Sequence, residues 1–74
     1  MNEAKQMALA YEIADALNDR KSIDMHIRFV KKYSEAHLRE CLEYVLSRPD
    51  EEIESNRAAY YVWLVKRNGR HSWN

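Results

Sequence analysis

One glycine and one proline, Gly69 and Pro49, are the only residues of their kinds in this chain. Chain-reversing residues are that scarce only where few sharp turns are needed. Much of the remaining sequence is Glu, Lys, Arg, Ala and Leu, which lose little on entering a helix. Together these facts predict an all-α fold. At 74 residues there is room for one domain and a small core, since a chain this short buries only ~60–65% of the surface its unfolded form exposes.

Hydrophobic spacing divides the chain into four helices, at about residues 3–18, 23–32, 35–47 and 56–68. They are expected to pack as a compact four-helix bundle-like single domain, 1–74, with a loose tail at 69–74 apart from Trp73. In helix 1, Met7, Ala10, Ile13, Ala14 and Leu17 recur at helical spacing, and Lys5, Glu12 and Asp15 lie off that stripe. Asp19-Arg20-Lys21 reads as a connection, with Ser22 as cap of helix 2. Helix 2 can place Ile23, His26, Phe29, Val30 and Tyr33 on one face, with Arg28 and Lys32 opposite. Ser34 reads as the next cap, and Glu35 suits the positive end of helix 3. Helix 3 has the clearest inward stripe, Leu38, Cys41, Leu42, Val45 and Leu46, with Arg39, Glu40 and Glu43 facing water. Arg48-Pro49 ends it, because the residue before proline avoids helical angles. A short turn, PDEEI, then tucks Ile53 inward.

The densest apolar run is Asn56–Asn68, NRAAYYVWLVKRN. Tyr60, Tyr61, Val62, Trp63 and Val65 all suit a strand, but the chain offers no second strand to pair with, so helix is preferred. Asn56 or Ser55 can cap it, and Asn68-Gly69 can end it. At about 100° per residue, Ala58, Tyr61, Val62, Leu64 and Val65 share one arc and Ala59, Tyr60, Trp63, Lys66 and Arg67 the other. The first arc is core. The second is either buried by further helices or an exposed binding face, since Trp, Tyr and Arg anchor interfaces.

This run resembles a helix near the end of some plasmid and phage replication-initiator and replisome-organiser proteins. There, a capping residue precedes a small pair, an aromatic-aliphatic run and a lysine, as Asn56-Arg57 precedes AAYYVWLVK here. The resemblance covers residues 56–67. It implies a helical accessory module in DNA replication or plasmid maintenance, and no catalytic activity.

Net charge is zero, yet the charges are segregated. Glu40, Glu43, Asp50, Glu51, Glu52 and Glu54 are accompanied only by Arg48, whereas the last twenty residues hold Arg57, Lys66, Arg67 and Arg70 and no acid. Arg20, Lys21, Arg28, Lys31 and Lys32 make a second basic stretch around Asp24. A neutral average therefore covers basic and acidic surfaces that either offset each other or meet partners.

Catalytic signatures are missing: no glycine-rich phosphate loop, HExxH, CxxC or nucleophile elbow occurs. His37 and Cys41 stand four apart on helix 3, a spacing that suits two metal ligands. No other cysteine exists, and His26 and His71 have no evident reason to join them, so neither metal nor cofactor is expected. Tyr33, Tyr44 and the carboxylates of 50–54 read as packing and a solvated turn. A lone Cys41 fits a reducing compartment. The N-terminal stretch, with Glu3 and Glu12 in a broken apolar pattern, reads as neither a signal peptide nor a membrane span. The expectation is a cytoplasmic, non-enzymatic interaction module. It would bind a protein partner or a second copy of itself through Tyr60, Trp63, Lys66 and Arg67, making no membrane contact. The alternative is a nucleic-acid-binding accessory protein using Arg28, Lys31, Lys32, Lys66, Arg67 and Arg70. Helices 2 and 3 meet tightly at Tyr33-Ser34, as in a helix-turn-helix. However, Glu40 and Glu43 on the would-be recognition helix suit a phosphate-lined groove poorly.

Overall fold

The structure is a computed structural model that describes residues 2–53 and 56–71, and the side chains of all of these except Asp50 and 68–71. Glu54, Ser55 and Trp73 lie outside the described residues. Four α-helices, α1 (Glu3–Ala16), α2 (Ile23–Lys32), α3 (Glu35–Ser47) and α4 (Arg57–His71), account for most of the described chain, with 3₁₀ turns at Arg20–Ser22 and Asp50–Glu52. No strand occurs among the described residues. The all-α reading holds, and so does the choice of helix for Asn56–Asn68. The chain divides into two units, Met1–Glu35 and Ala36–Asn74.

The first unit is an antiparallel α1–α2 hairpin. Asn2 starts α1 by accepting the Lys5 N–H at 2.8 Å, which satisfies one of the orphan donors of the first turn. Leu9, Ala10, Ile13 and Ala14 are buried on α1, Leu17 just past its end, and Phe29 and Val30 on α2. Leu9 was not on the expected stripe; the buried arc is one position wider. Helix α1 stops two residues before the sequence suggested, because Asn18 turns to a positive φ of 54°, a conformation asparagine tolerates better than most residues. The Asp19 N–H then bonds Ala14 O at 2.7 Å. Ser22 does not cap α2: its side chain makes no capping bond. The turn is held instead by a buried pair, His26 Nε2–H donating to Asp19 Oδ2 at 2.9 Å. At the other end of the hairpin Gln6 Nε2 donates to Val30 O at 3.2 Å.

The second unit pairs α3 with α4, also antiparallel. Leu38, Cys41, Leu42 and Val45 from α3 meet Tyr61, Leu64 and Val65 from α4 in its buried set. Leu46 departs from the expected stripe. It is 45% exposed, since it sits about 100° round the helix from Val45 and beyond the reach of α4. Arg39, expected to face water, is half-buried. Asn56 caps α4 as expected, accepting the Ala59 N–H at 2.7 Å. The helix does not stop at Asn68-Gly69 but runs on to His71. A single glycine costs a helix only ~1 kcal/mol, and no proline follows to enforce a stop.

Two side chains tie the hairpin at its ends. His37 Nε2–H donates to Val65 O at 3.1 Å. Arg57, in the first turn of α4, reaches back to the end of α3, donating through Nη1 to Val45 O and through Nη2 to Arg48 O, the latter at 2.8 Å. The last carbonyls of a helix have no partner inside it, and Pro49 brings no N–H to help. Ser47 Oγ donates to Tyr44 O at 2.8 Å, so three carbonyls at this end are satisfied by side chains.

Candidate functional site: an aromatic ladder on the second hairpin

Helical geometry sets Tyr60, Trp63 and Arg67 along one side of α4, three and four residues apart. That side is open: Trp63 is 50% exposed, Lys66 and Arg67 are exposed, and Tyr60 is half-buried. The outer arc of α4 is therefore a surface and not a second buried face. The Arg67 guanidinium carbon stands 4.8 Å from the centre of the Trp63 ring, within cation–π range. The Tyr60 and Trp63 ring centres are 6.1 Å apart with planes tilted by 37°.

The array continues onto α3. Tyr44 meets Tyr60 edge-on, with centres 6.1 Å apart and planes at 78°, an arrangement favoured by the ring quadrupoles. A hydrogen bond with the Tyr44 side chain, helped by desolvation, raises the Tyr60 phenol above its ordinary value. Arg48 lies 5.1 Å over the Tyr44 ring and also contacts Glu52 at 3.4 Å. The result is a continuous ladder, Arg48–Tyr44–Tyr60–Trp63–Arg67, with a guanidinium stacked at each end. Tyr44 does pack, against Tyr60 and Arg48, but at the surface, where it is 47% exposed. A signal for it was present: Tyr44–Arg48 repeats the i, i+4 aromatic–arginine spacing of Trp63–Arg67.

Beside the ladder lies a shallow cleft of about 280 Å³ lined by Glu40, Cys41, Tyr44 and Leu64. Its volume is at the bottom of the range for small-molecule sites and suits a single side chain. The floor is chemically quiet. Burial, reinforced by the Glu40 charge, pushes the Cys41 thiol up to about 11. Burial likewise raises the Tyr61 phenol. A thiol that stays protonated is a poor nucleophile and a poor metal ligand. Cys41 Sγ does come within 3.8 Å of His37 Nε2, but that nitrogen is engaged with Val65 O. Among the described residues no group of three His, Cys, Asp or Glu gathers to hold a metal ion. No described helix is long and apolar enough to cross a membrane.

The residues expected to meet nucleic acid are divided between the two units. Arg28, Lys31 and Lys32 are exposed on α2, and Lys66 and Arg67 are exposed on α4. The Arg70 side chain lies outside the described residues. Lys32 stands 5.5 Å over the Tyr33 ring. Arg20, in the same basic stretch, is held in a two-pronged pair with Asp15, at 2.5 and 3.1 Å. That pair lowers the Asp15 carboxyl and raises Arg20. No protein family, curated protein or solved structure matches this chain.

Proposed function

We propose that the chain is a small, non-enzymatic interaction module that binds a protein partner through the aromatic and basic face of α4. The observation that carries this reading is Trp63, half-exposed and fixed between Tyr60 and Arg67. A rigid aromatic flanked by arginine is the residue chemistry of interface anchors, and exposed apolar surface of this kind on small domains commonly meets a partner. The quiet Cys41 thiol and the small cleft support binding over catalysis, and one unpaired cysteine fits a reducing, cytoplasmic setting. The test is Trp63→Ala. It should weaken association, read by sedimentation, while leaving the helical circular dichroism intact. Loss of helical signal would make Trp63 a folding residue, and unchanged association would move the interface off α4.

A second reading has its own observation. Trp63 with Arg67 and exposed Lys66 forms a stacking surface beside cations, as in binders of single-stranded nucleic acid. A role as a DNA-replication or plasmid-maintenance accessory would follow from it. Affinity for DNA should then fall steeply with salt and vanish when Lys31, Lys32, Lys66 and Arg67 are all changed to Glu. Absence of binding at low salt, to duplex and single strand, removes this reading.

A further inference from the structure

We infer that the partner of the ladder is a second copy of this chain, with Arg67 of each copy entering the Glu40–Tyr44 cleft of the other. This rests on the interaction reading above and names its occupant. The argument is charge and shape complementarity within one face. The cleft has a carboxylate at its rim (Glu40), an aromatic wall (Tyr44) and an apolar floor (Cys41, Leu64). That combination suits a long cationic side chain, whose stem packs on the apolar floor while its head meets the acid and the ring. Glu40 is exposed, and no salt bridge joins it to any described cation. Arg67 is stacked on Trp63 but likewise meets no described acid in a salt bridge. Arg48 covers the Tyr44 ring but is paired with Glu52, so among the described residues one face carries a cation, Arg67, with no acid in salt-bridge range and a cleft whose acid, Glu40, has no cation in that range.

A two-fold axis satisfies both at once. In an isologous contact, if residue i meets residue j, then j meets i. Placing Arg67 in the opposite cleft therefore places the opposite Arg67 in this one. The axis falls midway between Glu40 and Arg67, near Leu64, and brings the two Trp63 rings into the shared interface. The Arg67–Trp63 stack pre-orders the guanidinium, which reduces what must be immobilised on association. The acid opposite Arg67 is then Glu40, in the middle of α3, and not Glu52, which is paired with Arg48.

The test uses the two charge reversals Glu40→Arg and Arg67→Glu in the full chain. Each alone sets like charges against each other across the axis, so each should weaken self-association at least about tenfold. An equimolar mixture of the two variants restores opposite charges at both cleft contacts and should form a heterodimer at near wild-type concentration. Fluorescence cross-correlation between differently labelled variants reads this directly. Recovery in the mixture also shows that both variants fold. A mixture that stays monomeric while the wild type associates through Trp63 overturns the cleft assignment and leaves the interaction reading standing. A wild type that is monomeric up to millimolar concentration overturns the second copy as occupant. Self-association indifferent to Trp63→Ala overturns the interface on which both claims rest.

Discussion

Arg57 offers the sharpest test of how the second hairpin is held. Its guanidinium donates to two carbonyls at the end of α3, Val45 O and Arg48 O, next to a proline that has no N–H to offer. A hydrogen bond from a charged donor contributes ~1.5–3 kcal/mol. Because Arg57 is half-buried, the lower end applies, and the pair contributes about 2–3 kcal/mol. A chain of this length is expected to be stable by only about 4–11 kcal/mol, so Arg57→Ala should remove a large part of the total. In urea, with a slope of ~1 kcal/mol/M for a small domain, the midpoint should fall by about 2–3 M at unchanged slope. Arg57→Lys keeps the charge but loses the planar fork that spans two acceptors, and should recover roughly half of the loss. A loss below about 0.5 kcal/mol for Arg57→Ala, the usual range for surface positions, would show that water replaces the guanidinium without penalty and refute the capping role.

Two other outcomes follow from the buried set. Leu42→Ala should cost roughly 2–5 kcal/mol in the same assay, because Leu42 is buried between α3 and α4; a loss near zero would mean the inward face of α3 is wrongly assigned. Cys41 should react slowly with maleimide until the protein unfolds. Burial pushes its folded thiol up to about 11 from an ordinary value of 9.0, so between those values the unfolded state releases a proton that the folded state keeps. Stability from this source is complete below pH ~9 and declines as pH rises toward 11; Cys41→Ser should flatten that part of the alkaline profile.

The bounds of α2 and α3 were legible in the sequence to the residue: α3 has the clearest apolar face and Pro49 closes it, whereas α2 has the least clean spacing of the four helices and is delimited by the breaks on either side of it. The ends of α1 and α4 were less so, because each depends on whether a weak signal is used. Asn18 does break α1 by taking a positive φ, whereas Gly69 is absorbed into α4. The face of α4 was legible because its two arcs differ in chemistry, aliphatic and small against aromatic and basic. Tyr44, Arg48 and Glu40 were missed because they belong to another helix, and only tertiary packing aligns α3 with Tyr60 and Leu64. Arg57 was misjudged for a different reason. A basic residue counts toward surface charge in any composition argument, and nothing in the sequence announces that its guanidinium turns inward to backbone carbonyls.

The His26–Asp19 pair has a consequence for how such a chain can change over generations. Both groups are nearly sealed from solvent, at 1% and 6% exposure, and they face each other across the α1–α2 turn at 2.9 Å. Replacing either alone strands the other in an apolar setting, which is costlier than the pair's own net contribution. Replacing both with apolar side chains of similar volume can be neutral or better. The two positions are thus separated from their alternatives by a barrier that single substitutions do not cross. Lineages descending from a common ancestor should carry either the polar pair or an apolar pair at 19 and 26, with mixed states rare and short-lived.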